Sequence, residues 1–468
     1  MVVIFQLGVI RCMSHSGKLT IDDLRALISS SQIETVLVAF TDLYGRLMGK
    51  RFDAQFFLTT VAENGTHGCD YLFTADMEME PVTGYKFANW RNGYGDMHLV
   101  PDLSTLRLAD WLDKTAIVLC DIIDNSSHEL VPLAPRSLLK RQIERCAKFG
   151  FTAKSASELE YYIFRNSYQE ASESEYRNLN AASWYLEDYH VMQGAREEDL
   201  NATVRRHLSR SGIPIESTKG EWGLGQHELN VQYCDVLEMA DRHVLLKQCL
   251  KETADQQQIS VTFMGKFAED QAGSSCHLHL SLWRDGINAF SDNTNSVEPT
   301  EIFNWFLAGW INQTKEFMPF YAPNVNSYKR YQSGSWAPTR LAWSQDNRTA
   351  GFRVVGSGPS LRIECRVPGA DCNPYLTYSA ALASGLHGID NRTTPPPVLE
   401  GDAYTANHFP HVSTSLCSAT DLFEQSDFVQ ATLGEDVHRH YTHFFRTEQS
   451  AFDGAVTDWE RRRYFERI

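Results

Sequence analysis

The sequence predicts an α+β fold in two parts, a small N-terminal domain and a larger C-terminal one. Three features carry this reading. In IETVLVAFTDLYGRLMGKRF an apolar run, a turn centred on Gly45 and a second run form a hairpin signature. Residues 66–112 are rich in Gly, Asp, Asn and Pro, which marks loops with short strands and places the domain boundary near residue 112. Beyond it, separate segments set ionisable residues at every second position of an otherwise apolar run, which is the period of a strand.

The elements follow in order. Residues 1–12, MVVIFQLGVIRC, read as an N-terminal extension with Met13 as a candidate start; they lack the basic leading region and small-residue cleavage site of an export signal. SHSGKLTIDDLRALI reads as a helix with Thr20 as N-cap and Asp23 three residues on. The hairpin and the loop-rich stretch complete the N-terminal domain, 13–112. TAIVLCDII (115–123) is a buried strand of the C-terminal domain, 113–468. PRSLLKRQIERCAKFG (135–150) is a helix with Pro at its start, where a missing N–H costs nothing, and Gly at its end.

Composition narrows the function classes. At 468 residues and a net charge of −16, the chain lacks the basic footprint that nucleic acid or an anionic membrane requires. No apolar run approaches the length of a membrane span. The ten cysteines are scattered singly, without a CxxC pair, so reduced thiols are expected rather than a zinc ribbon or disulfide framework. A cytoplasmic protein is expected.

The chemistry is carried by the alternating segments. In SASELEYYIF, Glu158 and Glu160 share one strand face while Leu159, Tyr161 and Ile163 share the other. In GSSCHLHLSLW, His277, His279 and Ser281 alternate with Leu278, Leu280 and Leu282; in LRIECRV, Arg362, Glu364 and Arg366 alternate with Leu361, Ile363 and Cys365. GEWGLGQHELNV adds Glu221 and Glu228 around a glycine-rich turn. One such strand is ordinarily a solvated sheet face, but four with continuous apolar backs predict a shared polar cavity, in which ionisable groups must pair or bind metal.

Carboxylates and histidine without converging cysteines favour a hard cation, Mg²⁺ or Mn²⁺. NSYKRYQSGSWAP and QDNRTAGFRV supply the cations Arg330, Arg340, Arg348 and Arg353. Metal ions together with arginines suit phosphoryl transfer. GRLMGKR at 45–51 has the wrong spacing for a Walker A loop, so nucleotide phosphates would be held by metals and arginines. The GxSxG and HExxH patterns are absent.

The segments SELEYYIF, GLGQHE, GSSCHLHLS, APNVNSYKR, NRTAGFR and RIECRVPGADCNPYL, in this order, resemble the glutamine synthetase superfamily from about the first helix to the C-terminus. The resemblance implies a β-grasp-like N-terminal domain and a catalytic domain with a curved antiparallel sheet flanked by helices. It also implies a ring-shaped homo-oligomer with active sites between subunits. ATP would convert L-glutamate to γ-glutamyl phosphate, which an amine then attacks. By position, Glu160, Glu221 and Glu228 match the ligands of one metal, and Glu158, His277 and Glu364 those of the other. Glu216, His279, Ser281 and Arg362 match nucleotide contacts. Arg330 and Arg366 match contacts to glutamate or its acyl phosphate, Gly273 matches a backbone contact to substrate, and Arg348 and Arg353 match residues that neutralise the transferring phosphoryl group.

Two departures bear on the amine. Where ammonia-using members carry a flap glutamate, this chain reads Gly334-Ser335-Trp336-Ala337-Pro338, and in place of their Asp-Gly-Ser-Ser loop it reads YLFTADMEMEPVTGY. A small cation desolvates poorly against an indole unless cation–π attraction compensates. The pattern resembles the γ-glutamylamide and γ-glutamylpolyamine branch, with Trp336 in the amine pocket and aromatic or small hydrophobic amines ranked ahead of ethanolamine and polyamines. The rival expectations are an ordinary glutamine synthetase using ammonia and a catalytically inactive structural relative.

Overall fold

The computed structural model describes residues 17–291 and 299–468; the expectations for residues 1–12 and Met13 lie outside the described residues. The first helix, α1 (Ile21–Ser29), is closed at its start by a reciprocal box. The Asp23 amide donates to Thr20 Oγ1 at 3.1 Å and the Thr20 amide to Asp23 Oδ2 at 2.9 Å, which satisfies two of the helix's orphan donors. Then β1 (Thr35–Thr41) and β2 (Leu47–Asp53) pair antiparallel as the predicted hairpin. Gly45 sits in its turn at φ +84°, a conformation that favours glycine.

The first sheet also contains β3 (Thr66–Cys69), β4 (Asp96–Pro101) and β5 (Thr115–Ile123), with a short strand at Arg107–Leu108 paired to β5 off the main path. The order is β2-β1-β5-β4-β3, with β5 parallel to β1 and antiparallel to β4. This corrects the expected boundary: residues 115–123 form an inner strand of the first sheet, so a division near residue 112 would cut that sheet. The strand is apolar on both faces, and an apolar run alone does not say which of two cores it enters.

The main path of the ten-stranded second sheet runs through β6 (Thr152–Phe164), β7 (Ile215–Gly220), β8 (Gln226–Val231), β9 (Cys276–Arg284), β10 (Trp343–Gln345), β11 (Phe352–Val355) and β12 (Arg362–Cys365). Its order is β10-β11-β12-β9-β6-β8-β7, antiparallel throughout this path except for the β10–β11 pair. The helices include α2 (Pro135–Lys148), α3 (Glu198–Arg210), α4 (Val236–Gln256), α5 (Glu301–Thr314), α6 (Pro374–Asp390) and α7 (Glu435–Gly454). Buried α6 packs against α5 and α2, so helices cover the apolar face of the sheet. Leu159, Leu278, Leu280 and Ile363 on that face are at most 1% exposed. Each stabilises the fold by roughly 2 kcal/mol through burial.

The two sheets are tied at polar points. Asn373 Nδ2, at the start of α6, donates to the carbonyls of Asp42 and Leu43 at 3.2 and 3.1 Å. Arg136 of α2 bonds Asp241 on α4 and reaches Asp102 and Asp121 of the first sheet's side. Among the described residues every cysteine is free, and no helix is long and apolar enough to cross a membrane.

Candidate active site

Strand register brings the predicted ligands together. Glu158 of β6 lies opposite His277 of β9 on one side and Asn230 of β8 on the other, and Glu160 lies opposite Glu228. His279 lies opposite Glu364 of β12, which lies opposite Arg353 of β11. Directly opposed side chains on one antiparallel face stand about 5 Å apart, so residues distant in sequence converge on the solvent side of one sheet.

Two clefts open on this face. One, of about 430 Å³, is lined by Glu216, His279, Ser281 and Arg362 together with Lys154 and Tyr233. The other, of about 410 Å³, is lined by Glu160, Glu221, Glu228, Gly273, His277, Arg348, Arg353, Arg366, Ser335 and Trp336. Glu158 and Asn230 line both and form the partition between them.

Within the partition three groupings place one ligand atom from each member within 4.8 Å of the others: Glu160–Glu221–Glu228, Glu158–Glu228–His277 and Glu158–His279–Glu364. The all-carboxylate set fits a hard divalent cation, and the histidine-bearing sets fit Mg²⁺ or Mn²⁺ with mixed ligands. Both histidines reach Glu158, His277 Nδ1 at 3.1 Å and His279 Nε2 at 2.8 Å, and His277 Nδ1 is 3.6 Å from Glu364. Arg362 Nε donates to His279 Nδ1 at 3.2 Å, which orients that ring toward the first cleft.

The electrostatics divide the site. Burial, reinforced by the neighbouring Glu221 carboxylate, pushes Glu160 up to about 7. Burial, reinforced by Glu158 and Glu221, raises Glu228 well above the usual carboxylate range. These crowded acids demand protons or a cation. Around Glu364 the balance reverses: burial opposes ionisation, but Arg366 and His277 overcome it and hold its carboxyl at about 2. Its oxygens accept from Arg366 Nη1 at 2.7 Å and Arg353 Nη1 at 2.9 Å. Burial and the Arg366 charge hold His277 down at about 4, so its imidazole is neutral near pH 7 and free to act as a ligand.

Most predicted residues stand in the clefts, but two of the four expected cations do not. Arg330 is 1% exposed and lies behind the wall, donating to Ser275 Oγ at 3.2 Å and to the Val367 carbonyl. Its chain packs so closely on Gly273 that a Cβ there would lie 2.3 Å from Arg330 Cγ. Arg340 is spent on the Phe409 carbonyl and Asn407. Arg348 lines the cleft, and among the described residues it has neither a hydrogen bond nor an ion pair.

Sequence reasoning missed three groups of residues. Gln226 Nε2 donates to Glu160 Oε2 at 3.2 Å, and the Ser275 amide donates to the same oxygen at 2.7 Å. Asp188, Tyr189 and Trp222 line the second cleft beside Trp336. On the opposite face of β8, His227 Nε2 lies 3.0 Å from Glu187 and 3.6 Å from Glu197, all three at most 5% exposed. Asn201 bridges to this group, its Nδ2 at 3.1 Å from His227 Nδ1 and its Oδ1 accepting from Tyr161 at 2.7 Å. A histidine on the apolar face of a strand was the available signal, since a buried imidazole needs partners.

The family model described as the glutamine synthetase catalytic domain matches residues 132–464. A γ-glutamylethanolamide synthetase of Streptomyces coelicolor is 45% identical over 451 residues, covering 96% of each chain. A glutamate–isopropylamine ligase of a Pseudomonas species is 35% identical over 462 residues, covering 97% of this chain and all of its own. Solved structures of GmaS, one in complex with ADP and one without ligand, superpose with a TM-score of 0.82 at 27% identity over 95% of this chain and 99% of theirs.

Proposed function

Because the chain belongs to the glutamine synthetase family, we propose that it is an ATP-dependent ligase joining the γ-carboxyl of L-glutamate to an organic amine through γ-glutamyl phosphate. The observation that carries this reading is the partition: Glu158 is a wall of both clefts and a member of two ligand groupings. A phosphoryl group passing from a nucleotide in the first cleft to a carboxylate in the second would cross at that residue.

In the first cleft His279, Ser281, Arg362 and Glu216 are placed to bind the nucleotide. Mg²⁺ or Mn²⁺, held by Glu160, Glu221 and Glu228 and by Glu158, His277 and Glu364, would supply the positive charge on which phosphoryl transfer depends. From the other side Arg348 and Arg353 face the same space, and Arg366 is positioned for the glutamate carboxylate. Gly273 lines the second cleft, and its missing side chain leaves room for Arg330, which holds that wall from behind. Arg330 thus acts on substrate through the wall. A ring-shaped homo-oligomer in the cytoplasm belongs to the same proposal.

The flap supports an amine larger than ammonia. Trp336 and Ser335 line the second cleft where the family's ammonia-using members place a carboxylate. Similarity over nearly the full length to an ethanolamide synthetase and an isopropylamine ligase supports a short aliphatic amine. We therefore rank that class ahead of aromatic amines and reverse the order expected from the Trp336 face alone. The test is ADP release and γ-glutamyl product formation with glutamate and ethanolamine, isopropylamine, aniline, putrescine or ammonium, in wild type and Trp336→Glu. An organic amine should be the best wild-type substrate, and the substitution should shift preference toward ammonium. Ammonium as the best wild-type substrate would refute the reading.

A further inference from the structure

Beyond the ligand groupings the second cleft ends in an aromatic corner with one acidic side chain that the roles above leave unused. Trp222 and Trp336 meet edge to face there, their ring centroids 5.8 Å apart at 65°. Asp188 and Tyr189 line the same cleft, and Asp188 is joined through its amide to the carbonyl of Glu221, the residue before Trp222. We propose that Asp188 is the anionic anchor of the amine subsite, holding the ammonium group of a short aliphatic primary amine against the Trp222 and Trp336 rings. This rests on the ligase reading and adds to it the charge state in which the amine is recognised.

Asp188 is distinguished by what its neighbours already do. Glu160 accepts from Ser275 and Gln226, Glu221 is paired with Lys219, Glu228 accepts from Asn230, and Glu158 meets both histidines. The half-buried Asp188 carboxylate, among the described residues, has neither a hydrogen bond nor an ion pair. The lysine beside it is occupied: Lys219 bonds Glu221 and stands 4.4 Å above the Tyr189 ring.

The position of Asp188 is also built rather than loose. Asp188 and Tyr189 are held at φ +21° and +35°, a backbone that side-chain-bearing residues rarely adopt. The Asp188 amide donates to the Glu221 carbonyl at 3.2 Å, which ties the corner to a metal-ligand residue. On the other side Glu187 is turned inward against His227 and packs on Gly220, where a Cβ would lie 2.6 Å from its own. The corner therefore presents Asp188 to the cleft at a height set by the same strands that set the carboxylates.

The chemistry of these three side chains selects one class. An ammonium group stripped of water needs a counter-charge, and indole faces alone supply only part of it. A short alkylammonium satisfies both, its charge at Asp188 and its carbons on the rings. The bare ammonium ion leaves the aromatic wall empty, and an uncharged amine leaves Asp188 unpaired.

The test is steady-state kinetics of wild type and Asp188→Asn with ethanolamine, which is cationic at neutral pH, and hydroxylamine, which is not. Asparagine keeps the size of the side chain and tolerates positive φ, so the corner is retained. The ratio of kcat/KM for ethanolamine to that for hydroxylamine should fall about tenfold, carried by the KM for ethanolamine. An unchanged ratio in a working ligase overturns the inference alone, because lost folding or glutamate binding would lower both amines alike. Failure of the wild type to form an amide with either amine overturns the ligase reading and this inference with it.

Discussion

Replacing Glu364 with Gln removes one charge and almost no volume from a buried point of the site on which two arginines converge. Glu364 is fully buried and accepts from Arg366 and Arg353 at 2.7 and 2.9 Å. Hydrogen bonds to charged groups contribute roughly 1.5–3 kcal/mol each, so two bonds bracket the loss between roughly 3 and 6 kcal/mol. The lower end applies because Gln keeps one acceptor oxygen and Arg353 keeps Asp346, at 3.0 Å from its Nε. Protonation gives the same figure: a carboxyl lowered from 4.5 to about 2 on folding corresponds to about 3 kcal/mol. A depressed carboxyl contributes stability that is complete above its unfolded value and lost as pH falls toward its folded one. In EDTA, urea unfolding at pH 7 should therefore show the variant about 3 kcal/mol less stable, with the gap roughly halved near pH 3. A variant within about 0.5 kcal/mol of wild type at pH 7, or a gap that widens on acidification, would refute Glu364 as the ionised hub of the two arginines. Near-normal turnover of this variant at saturating Mg²⁺ would separately remove its role as a metal ligand.

Arg366→Lys keeps the charge and loses the planar fork that reaches Glu364. The expected result is at least a roughly tenfold rise in the KM for glutamate or fall in kcat, and unchanged steady-state constants would exclude the substrate role. His227→Ala removes the imidazole that lies 3.0 Å from Glu187 and 3.6 Å from Glu197 and leaves both buried carboxylates without a counter-group. It should cost about 3 kcal/mol in urea unfolding and speed proteolysis within residues 183–197; wild-type stability would show that the three do not act as a pair network. Because Glu160 is raised to about 7 by burial and Glu221, protons compete with the cation. Mg²⁺ affinity, read by calorimetry, should strengthen as pH rises from 6 to 8, and a flat profile would place the cation elsewhere.

What the sequence by itself determined was local. Alternation alone puts Glu158 with Glu160 and His277 with His279 on single strand faces, because side chains along a strand must alternate. Thr20 and Asp23 likewise announce a helix start whose box the structure contains. Which faces meet was decided by tertiary structure. Glu158 stands opposite His277, 119 residues on, and Glu160 opposite Glu228 only because β6 lies between β9 and β8. A shift of one residue in either pairing would turn the ligands to the other face, and no period-2 pattern encodes that partner choice. The same limit explains the strand 115–123, whose apolar run suits either core and whose hydrogen bonds place it in the first. It explains Arg330 as well: a guanidinium in a polar motif reads as a cation for substrate, whereas its depth behind Gly273 depends on how two loops pack. Asp188 carries no signal in the chain, since its exposure to the cleft follows from a positive-φ corner tied to Glu221 and from Glu187 turning inward to His227. Short-range periodicity is a property of covalent geometry and is written in one strand at a time, while a cavity is made of contacts between strands and exists only once they have paired.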